Sequence, residues 1–134
     1  MVKSGQADFA ISEDSDLIAY GCPNVVMKLS IVGTCSQFTF TKFYAFNSDA
    51  KEHKEINVLQ SLSPREFILA CVMSGCEYLP NIERVGLKVA LKHYSTLKTF
   101  SNVIDHLKKQ KTYKDRIPED YATNANKVAD LFQM

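Results

Sequence analysis

The chain has 134 residues, of which 46% are hydrophobic, and its formal net charge is +1. This balance suits a compact soluble protein and argues against a disordered one. The sequence contains no apolar run of the roughly 18 residues that a membrane span requires, and its polar start lacks the apolar stretch of a signal peptide, so an intracellular protein without a membrane partner is expected.

The cysteines and histidines give no sign of a zinc site. The cysteines never form a Cys-x-x-Cys pair, and the histidines lack ligand spacing. We expect buried, free thiols in a reducing compartment, with a disulfide framework as the alternative. The residues concerned are Cys22, Cys35, Cys71, Cys76, His53, His93 and His106.

Charge is distributed unevenly along the chain. Residues 8–16 carry four acids and no base, whereas residues 84–116 carry nine bases and two acids, and nine minus two gives a local charge of +7. Phosphate chemistry on a polyanion requires such a combination, because metals need carboxylates and a phosphate backbone needs cations. A solvated charged face is the alternative for the basic segment.

The first half of the sequence predicts an α/β fold with short parallel strands. Residues 17–20 are typical of a helical turn, and residues 47–55 of a polar connection. Because functional groups gather at the carboxyl ends of strands in open α/β sheets, the acids of residues 13–16 lie where a site is expected. The predicted strands are residues 9–11, which we expect to be buried, 25–29 and 37–41.

The pattern becomes helical after residue 62. Ser63 is a good N-cap, Glu66 completes a capping box with it, and Gly75 lies near the end of the helix that they start. Apolar residues recur with a helical period in four groups, which predict four helices. The groups are Phe67, Ile68, Cys71 and Val72; Leu87, Ala90, Leu91 and Tyr94; Phe100, Val103, Ile104 and Leu107; and Tyr121, Ala125, Val128 and Leu131. The predicted domains are residues 1–62 and 63–134.

Two aspartates are the first candidates for chemistry. Asp14 and Asp16 are separated by one small residue at the end of a predicted strand, so both carboxylates can turn toward one point. Mg²⁺ prefers such oxygen ligands and keeps several waters for a substrate phosphate. The alternative is structural, since Asp-Ser-Asp triplets are common in turns and helix caps.

A third acid and several bases complete the set of candidates. Glu77 is expected at the exit of the helix that starts after Ser63, where an ordinary surface acid is the alternative. The turn at Val85 and Gly86 can offer backbone groups to a phosphate or a monovalent cation. The bases that could follow a duplex backbone are Lys88, Lys92, Lys98, Lys108, Lys109, Lys111 and Lys114. Because no aromatic residues alternate with these bases, we expect contacts to be independent of base sequence.

Three segments taken in order closely resemble the XPG and flap endonuclease family of 5′ nucleases. Their sequences are FAISEDSDLIAYGC (residues 9–22), FILACVMSGCEYL (67–79) and VGLKVA (85–90). A fourth, IPEDY (117–121), is similar to a stretch further along, so the resemblance spans nearly the whole chain apart from the middle.

The resemblance implies a nuclease that uses two Mg²⁺ ions, with a PIN-like core and a helix-two-turn-helix module that grips duplex DNA. Asp14 and Asp16 match a metal-binding pair of the family, and Glu77 matches a further metal-linked aspartate. Gly86 falls in a turn that holds K⁺ in family members. The implied DNA-contacting residues are Arg84, Val85, Gly86, Lys88 and Lys92.

The same resemblance implies a role in the cell. The whole protein would remove nucleotides in the 5′ to 3′ direction and cut 5′ flaps, acting on duplex DNA with a 5′ end or flap. It would be a nuclear, monomeric DNA repair nuclease that meets other repair proteins. Metal in such sites activates water and stabilises the leaving oxygen.

Three departures from the family pattern bear on activity. The remaining metal-binding acids of the family are expected upstream of this sequence, so we expect a fragment that is inactive alone. Glu77 stands where the family has aspartate, and Arg84 stands where it has the first glycine of a Gly-x-Gly turn. Two other functions stay open, namely a non-catalytic DNA-binding module with vestigial acids and a protein-interaction domain without a nucleic acid.

Overall fold

The computed structural model describes residues 1–14, 16–47 and 51–133. They fall into two compact units, Met1–Ser48 and Asp49–Met134. Together the described residues form three strands and seven α-helices. This mixed α/β class is the one that the sequence predicts. Within these residues, no helix has both the length and the hydropathy needed to cross a bilayer.

The first unit is built on a three-stranded sheet of order β1-β2-β3. Its elements are β1 (Ala10–Ile11), α1 (Asp16–Ala19), β2 (Asn24–Met27), β3 (Ser36–Thr39) and α2 (Phe40–Ala45). Strands β1 and β2 run parallel, but β2 and β3 are antiparallel. The prediction of parallel strands is therefore wrong for β3, because a short hairpin joins it directly to β2 and reverses the chain.

The prediction that β1 is buried is also wrong. Phe9 is 51% exposed and Ile11 is 59% exposed, whereas Val25 on the neighbouring strand is fully buried. Strand β1 lies at an edge of the sheet. A short apolar run in this sequence therefore predicts a strand but does not predict that the strand is buried.

Aromatic rings pack helix α2 against strand β3. The rings of Phe38 and Phe40 meet edge to face with centroids 5.1 Å apart, and Phe43 lies 5.6 Å from Phe38. Tyr44 stacks on Phe40 at 6.0 Å. Helix α2 has no buried residue, so this half-exposed cluster takes the place of a deep core.

The second unit is helical. Its elements are a 3₁₀ turn (Lys51–His53), α3 (Lys54–Ser61), α4 (Pro64–Met73), α5 (Leu87–Leu97), α6 (Phe100–Lys109), a second 3₁₀ turn (Lys114–Arg116) and α7 (Tyr121–Gln133). The four predicted helices are confirmed as α4 to α7. The predicted polar connection is wrong over residues 51–55, which form the first turn and the start of α3. The predicted domain boundary falls between α3 and α4, inside this unit, and stays a prediction.

The core of the second unit lies between α4, α5, α6 and α7. Met73, Leu91, Tyr94 and Leu107 are within 1% of full burial. The periodicity misplaces two positions, since Leu87 is 44% and Leu131 is 47% exposed. On α7 the buried face instead continues through Ala129 and Phe132, which extends the row from Tyr121 at helical spacing.

Two polar side chains at the start of α4 connect it to other helices. The Ser63 Oγ accepts from the Glu66 amide at 3.2 Å, which confirms the predicted N-cap. The Glu66 Oε2 accepts from the Phe100 amide at 2.8 Å, so this carboxylate holds the start of α6, a contact that the capping-box pattern does not indicate. Arg65 reaches α7, where its guanidinium donates to Asp130 at 2.6 Å and to Gln133 at 2.6 Å.

All four cysteines are free, as expected. Only Cys22 is buried, however, and Cys35 is exposed. The expectation of uniformly buried thiols is therefore wrong, because Cys35 lies in the exposed hairpin between β2 and β3.

Candidate functional site

Asp14 and Asp16 lie where the chain leaves β1 and enters α1. The Asp14 amide donates to the Ser12 Oγ at 3.0 Å, and the Asp16 amide donates to the Asp14 Oδ1 at 2.9 Å. Asp14 is exposed and Asp16 is half-buried. The Asp14 carboxylate therefore fastens the start of α1, as the structural alternative predicted.

Glu13 is a structural acid that the sequence pattern does not distinguish from its neighbours. Its Oε1 accepts from the Lys28 amide at 2.6 Å, just beyond β2. Lys28 has a φ of 53°, so the carboxylate stabilises a left-handed residue at the strand end. Because Glu13 and Lys28 are far apart in sequence, no local spacing could have revealed this contact.

The carboxylates of Asp14 and Asp16 fit part of a Mg²⁺ site. Both are hard oxygen donors two residues apart at the carboxyl end of a strand, and Mg²⁺ is commonly held by one or two carboxylates together with water and phosphate. Among the residues that the structure describes, no group of three histidine, cysteine or acidic side chains could hold a metal. Any metal here would take its remaining ligands from elsewhere.

Glu77 lies in a turn after α4, in the second unit. Helix α4 ends at its C-cap Ser74, and Gly75 follows with a φ of 104°. Cys76 and Leu79 pair as an isolated bridge around the turn, and Glu77 is exposed on it. The predicted position beyond the last helical turn is confirmed, whereas a metal shared with Asp14 and Asp16 stays a prediction.

A single amide side chain organises the turn before α5. The Asn81 Nδ2 donates to the Ile82 carbonyl at 3.1 Å and to the Val85 carbonyl at 3.0 Å. Arg84 has a φ of 67°, the left-handed region in which a glycine would be unstrained. The chain thus keeps a glycine-like conformation where arginine replaces the first glycine of the family's turn.

The carbonyls of this turn are already hydrogen-bonded. Val85 accepts from Asn81, and the Gly86 carbonyl accepts from the Ala90 amide at 2.9 Å as α5 begins. Each carbonyl oxygen has a second lone pair. A K⁺ ion would have to use those second lone pairs or displace the Asn81 amide, and the K⁺ site stays a prediction.

The bases of α5 line one wall of a groove within the second unit. Lys88 and Lys92 are exposed and lie one helical turn apart, on the same side of α5. The groove has a volume of about 660 Å³, and Lys54 on α3 contributes a third base. The sequence pattern does not place Lys54 in the basic set, because it lies well upstream in a segment predicted to be a polar connection.

Two histidines that are distant in sequence meet between α5 and α6. The ring centroids of His93 and His106 lie 5.5 Å apart. Burial, followed by the charges of His106 and Lys92, lowers the pKa of His93. The histidines lack ligand spacing in the sequence, yet these two lie close together in the fold.

The family comparison agrees with these features. The XPG I-region family matches residues 1–77, more than half of the chain, and this stretch includes Asp14, Asp16 and Glu77. The chain belongs to the XPG and flap endonuclease family of nucleases.

Two exonucleases and a flap endonuclease are similar to nearly the whole chain. Exonuclease 1 of Oryza sativa is 30% identical over 94% of the chain, and exodeoxyribonuclease 1 of Saccharomyces cerevisiae is 33% identical over 92%. Flap endonuclease 1 of Mycosarcoma maydis is 28% identical over 90% of the chain. The chain is therefore exonuclease 1-like within its family. It spans only 14%, 16% and 30% of the lengths of these three relatives.

Proposed function

We propose that the chain is part of a Mg²⁺-dependent DNA nuclease that removes nucleotides in the 5′ to 3′ direction and cuts 5′ flaps. The observation that carries the proposal is the pair Asp14 and Asp16 at the carboxyl end of β1, inside the segment that matches the nuclease family. The names of the similar proteins, which are exonucleases and flap endonucleases, support the type of reaction.

The wider assignments follow from the same family membership. We propose that residues 1–62 belong to a PIN-like core and residues 63–134 to a helix-two-turn-helix module. The whole protein would act in the nucleus as a monomer alongside other DNA repair proteins. Because the described residues hold no three-ligand group, we expect these 134 residues to be inactive without further metal-binding carboxylates.

We propose roles for the chain's own residues on the basis of the family resemblance. Asp14 and Asp16 would hold metal through carboxylate oxygens, with Glu77 as a further metal-linked acid. A divalent metal there supplies activation of water and neutralisation of phosphodiester charge. Arg84, Lys88 and Lys92, with the backbone at Val85 and Gly86, would hold the phosphate backbone of the duplex, which positions the substrate without reading its sequence.

A chimaera tests the catalytic role. The matching stretch of the Saccharomyces cerevisiae exodeoxyribonuclease would be replaced by this chain and assayed with Mg²⁺ on 5′-recessed and 5′-flap duplexes. We expect cleavage, and we expect Asp14→Asn or Asp16→Asn to reduce its rate by about a hundred-fold or more. Asp8→Asn is the control, because it makes the same change at an exposed acid outside the pair.

The result can contradict the proposal in two ways. A folded chimaera that fails to cleave either substrate would reject the nuclease assignment. A chimaera that cleaves equally well with Asp14→Asn and Asp16→Asn would reject the metal-binding role while leaving the family intact. Glu77→Asp restores the family's shorter acid, and a higher rate in this variant would support a metal-linked role at that position.

The proposed contact of Arg84, Lys88 and Lys92 with the phosphate backbone, called the phosphate grip below, has its own test. Duplex affinity of the 134-residue chain, measured by fluorescence anisotropy over a range of salt concentrations, should fall for Lys88→Glu and Lys92→Glu. The slope of log affinity against log salt should decrease by about 0.9 for each phosphate that the variant no longer neutralises. Lys127→Glu, which replaces a lysine on α7 outside the grip, is the control. Equal effects of all three substitutions would mean that duplex affinity depends on the total charge of the chain and not on a specific contact of Lys88 and Lys92.

One observation favours a second function, a DNA-binding module without catalysis. The Asp14 Oδ1 already accepts from the Asp16 amide, so the acid has a structural role that needs no metal. Asparagine keeps a side-chain carbonyl for this hydrogen bond but removes the charge. If calorimetry detects Mg²⁺ binding that Asp14→Asn abolishes, the second function is rejected, whereas unchanged heats in the two proteins would favour it.

A further inference from the structure

The groove between α3 and α5 combines an apolar floor with basic walls. Val58 on α3 and Leu91 on α5 line it, and Leu91 is only 1% exposed. Lys54 lies on the α3 side, and Lys88 and Lys92 lie on the α5 side. Among the residues that the structure describes, Glu55 is the one acid that lines the groove, so the lining that they form carries an excess of two positive charges.

Helix α3 has an apolar side that the described residues cover only in part. It has no buried residue, and Ile56, Val58 and Leu59 are all half-buried. In contrast, the facing helix α5 buries Ala90, Leu91 and Tyr94. Of the three α3 residues, Val58 lines the groove, so the apolar side chain still open to a ligand there lies on the α3 side.

We propose that this groove binds an acidic peptide segment of a partner protein, with one apolar side chain inserted between α3 and α5. The apolar side chain would cover Val58, since Leu91 at the floor is already buried. Acids on both sides of it would meet Lys54 on one wall and the Lys88 and Lys92 pair on the other. The volume of about 660 Å³ lies within the range of sites that enclose a compact ligand.

Duplex DNA suits this groove less well than a peptide does. A phosphate backbone is hydrated and polar, and covering Val58 with it would add no stabilisation from apolar burial. The peptide and the duplex would nonetheless share Lys88 and Lys92, so a bound peptide should weaken the proposed phosphate grip. Lys54 belongs to the groove and not to that grip, which makes it the residue that separates the two sites.

The probe is a fluorescein-labelled peptide, Asp-Glu-Glu-Leu-Asp-Glu-Asp, titrated with the 134-residue chain at physiological salt. We expect saturable binding that weakens about five-fold in Lys54→Glu, since a favourable charge pair becomes repulsive. Replacing the peptide's leucine by glycine should weaken binding about ten-fold, because no side chain then covers the apolar floor. Lys127→Glu, which does not line the groove, should bind like the unchanged protein.

Three outcomes would overturn the proposal. The first is equal binding of the leucine and glycine peptides, which would show attraction by charge alone. The second is unchanged peptide binding by Lys54→Glu, since Lys54 would then make no contribution to binding the peptide. The third is a decrease of duplex affinity in Lys54→Glu as large as its decrease of peptide affinity, because the groove would then be a nucleic-acid surface. A failure of the chimaera to cleave DNA would leave all three readouts unaffected.

Discussion

Each of the two compact units is stabilised internally by a different kind of interaction. Among the described residues, the buried hydrophobic side chains of the first unit are Ala19, Cys22, Val25 and Val26, and all the others lie in the second unit. The first unit depends on strand pairing, polar contacts such as that between Glu13 and the Lys28 amide, and a half-exposed aromatic cluster. The second is stabilised mainly by apolar burial, the larger contribution in most domains. Equivalent substitutions should therefore have unequal effects in the two units.

The largest difference is expected for leucine truncation. Leu107→Ala, in the fully buried core of the second unit, should lower the free energy of unfolding by about 3 kcal/mol, because it removes apolar packing and leaves a cavity. Leu29→Ala makes the same chemical change in the first unit, where the side chain is 50% exposed, and should change it by less than about 0.5 kcal/mol. Urea denaturation measures both, and comparable decreases would remove the distinction between the units.

A smaller difference is expected for two carboxylates that accept backbone amides. Glu66→Ala removes the acceptor of the part-buried Phe100 amide and should cost about 2 kcal/mol, since that amide is left without its partner. Glu13→Ala breaks an exposed contact with the Lys28 amide, where water can replace the acceptor, and should cost less. The matched variants Glu66→Gln and Glu13→Gln keep an acceptor. If Glu66→Gln is as destabilising as Glu66→Ala, the carboxylate charge matters more than the acceptor.

A gain in stability is expected where the turn before α5 is strained. Arg84→Gly should raise the free energy of unfolding by about 1 kcal/mol, because glycine adopts a φ of 67° without steric cost. Lys28→Gly is the counterpart in the first unit, at a φ of 53°. Thermal denaturation compares the two, and a decrease of stability in Arg84→Gly would mean that the arginine side chain makes stabilising contacts that outweigh its strain.

The smallest expected effect is the change of stability with pH that His93 produces. The pKa of His93 in the folded protein is lowered by burial, then by His106 and Lys92, below the ordinary value of 6.5. The neutral form is thus favoured by folding, and its contribution to stability is full above pH 6.5 and is lost as the pH falls through the folded pKa. Denaturation midpoints should drop on acidification, and less so in His93→Asn. A variant with the same pH dependence as the unchanged protein would contradict this assignment.

The sequence predicts the second unit better than the first. Its helices bury one face, so apolar residues recur with helical spacing, and α4 to α7 are recognised from that spacing alone. Helix α3 escapes notice because it buries no residue and begins in a charged stretch. The exposure of Ile11 could not be foreseen, because a short apolar run looks the same on an edge strand as on a covered one.

The candidate site was predictable only within single segments. The Asp-Ser-Asp spacing is typical both of a helix cap and of a metal-binding pair. In the structure the Asp14 carboxylate accepts a hydrogen bond from the Asp16 amide, which is the contact of a cap. Contacts between distant segments produce no regular spacing in the sequence, so they could not be predicted from it. Lys54 meets the α5 lysines around the groove, and His93 meets His106, only after the helices pack.

The hydrogen bond between Asp14 and the Asp16 amide also bears on how the proposed metal site would take an ion. With Oδ1 accepting from the backbone, Oδ2 keeps both of its lone pairs and Oδ1 keeps one. Contact through one carboxylate oxygen would suit the octahedral, water-retaining shell of Mg²⁺. An ion could therefore bind Asp14 without releasing the start of the short helix that this carboxylate fastens.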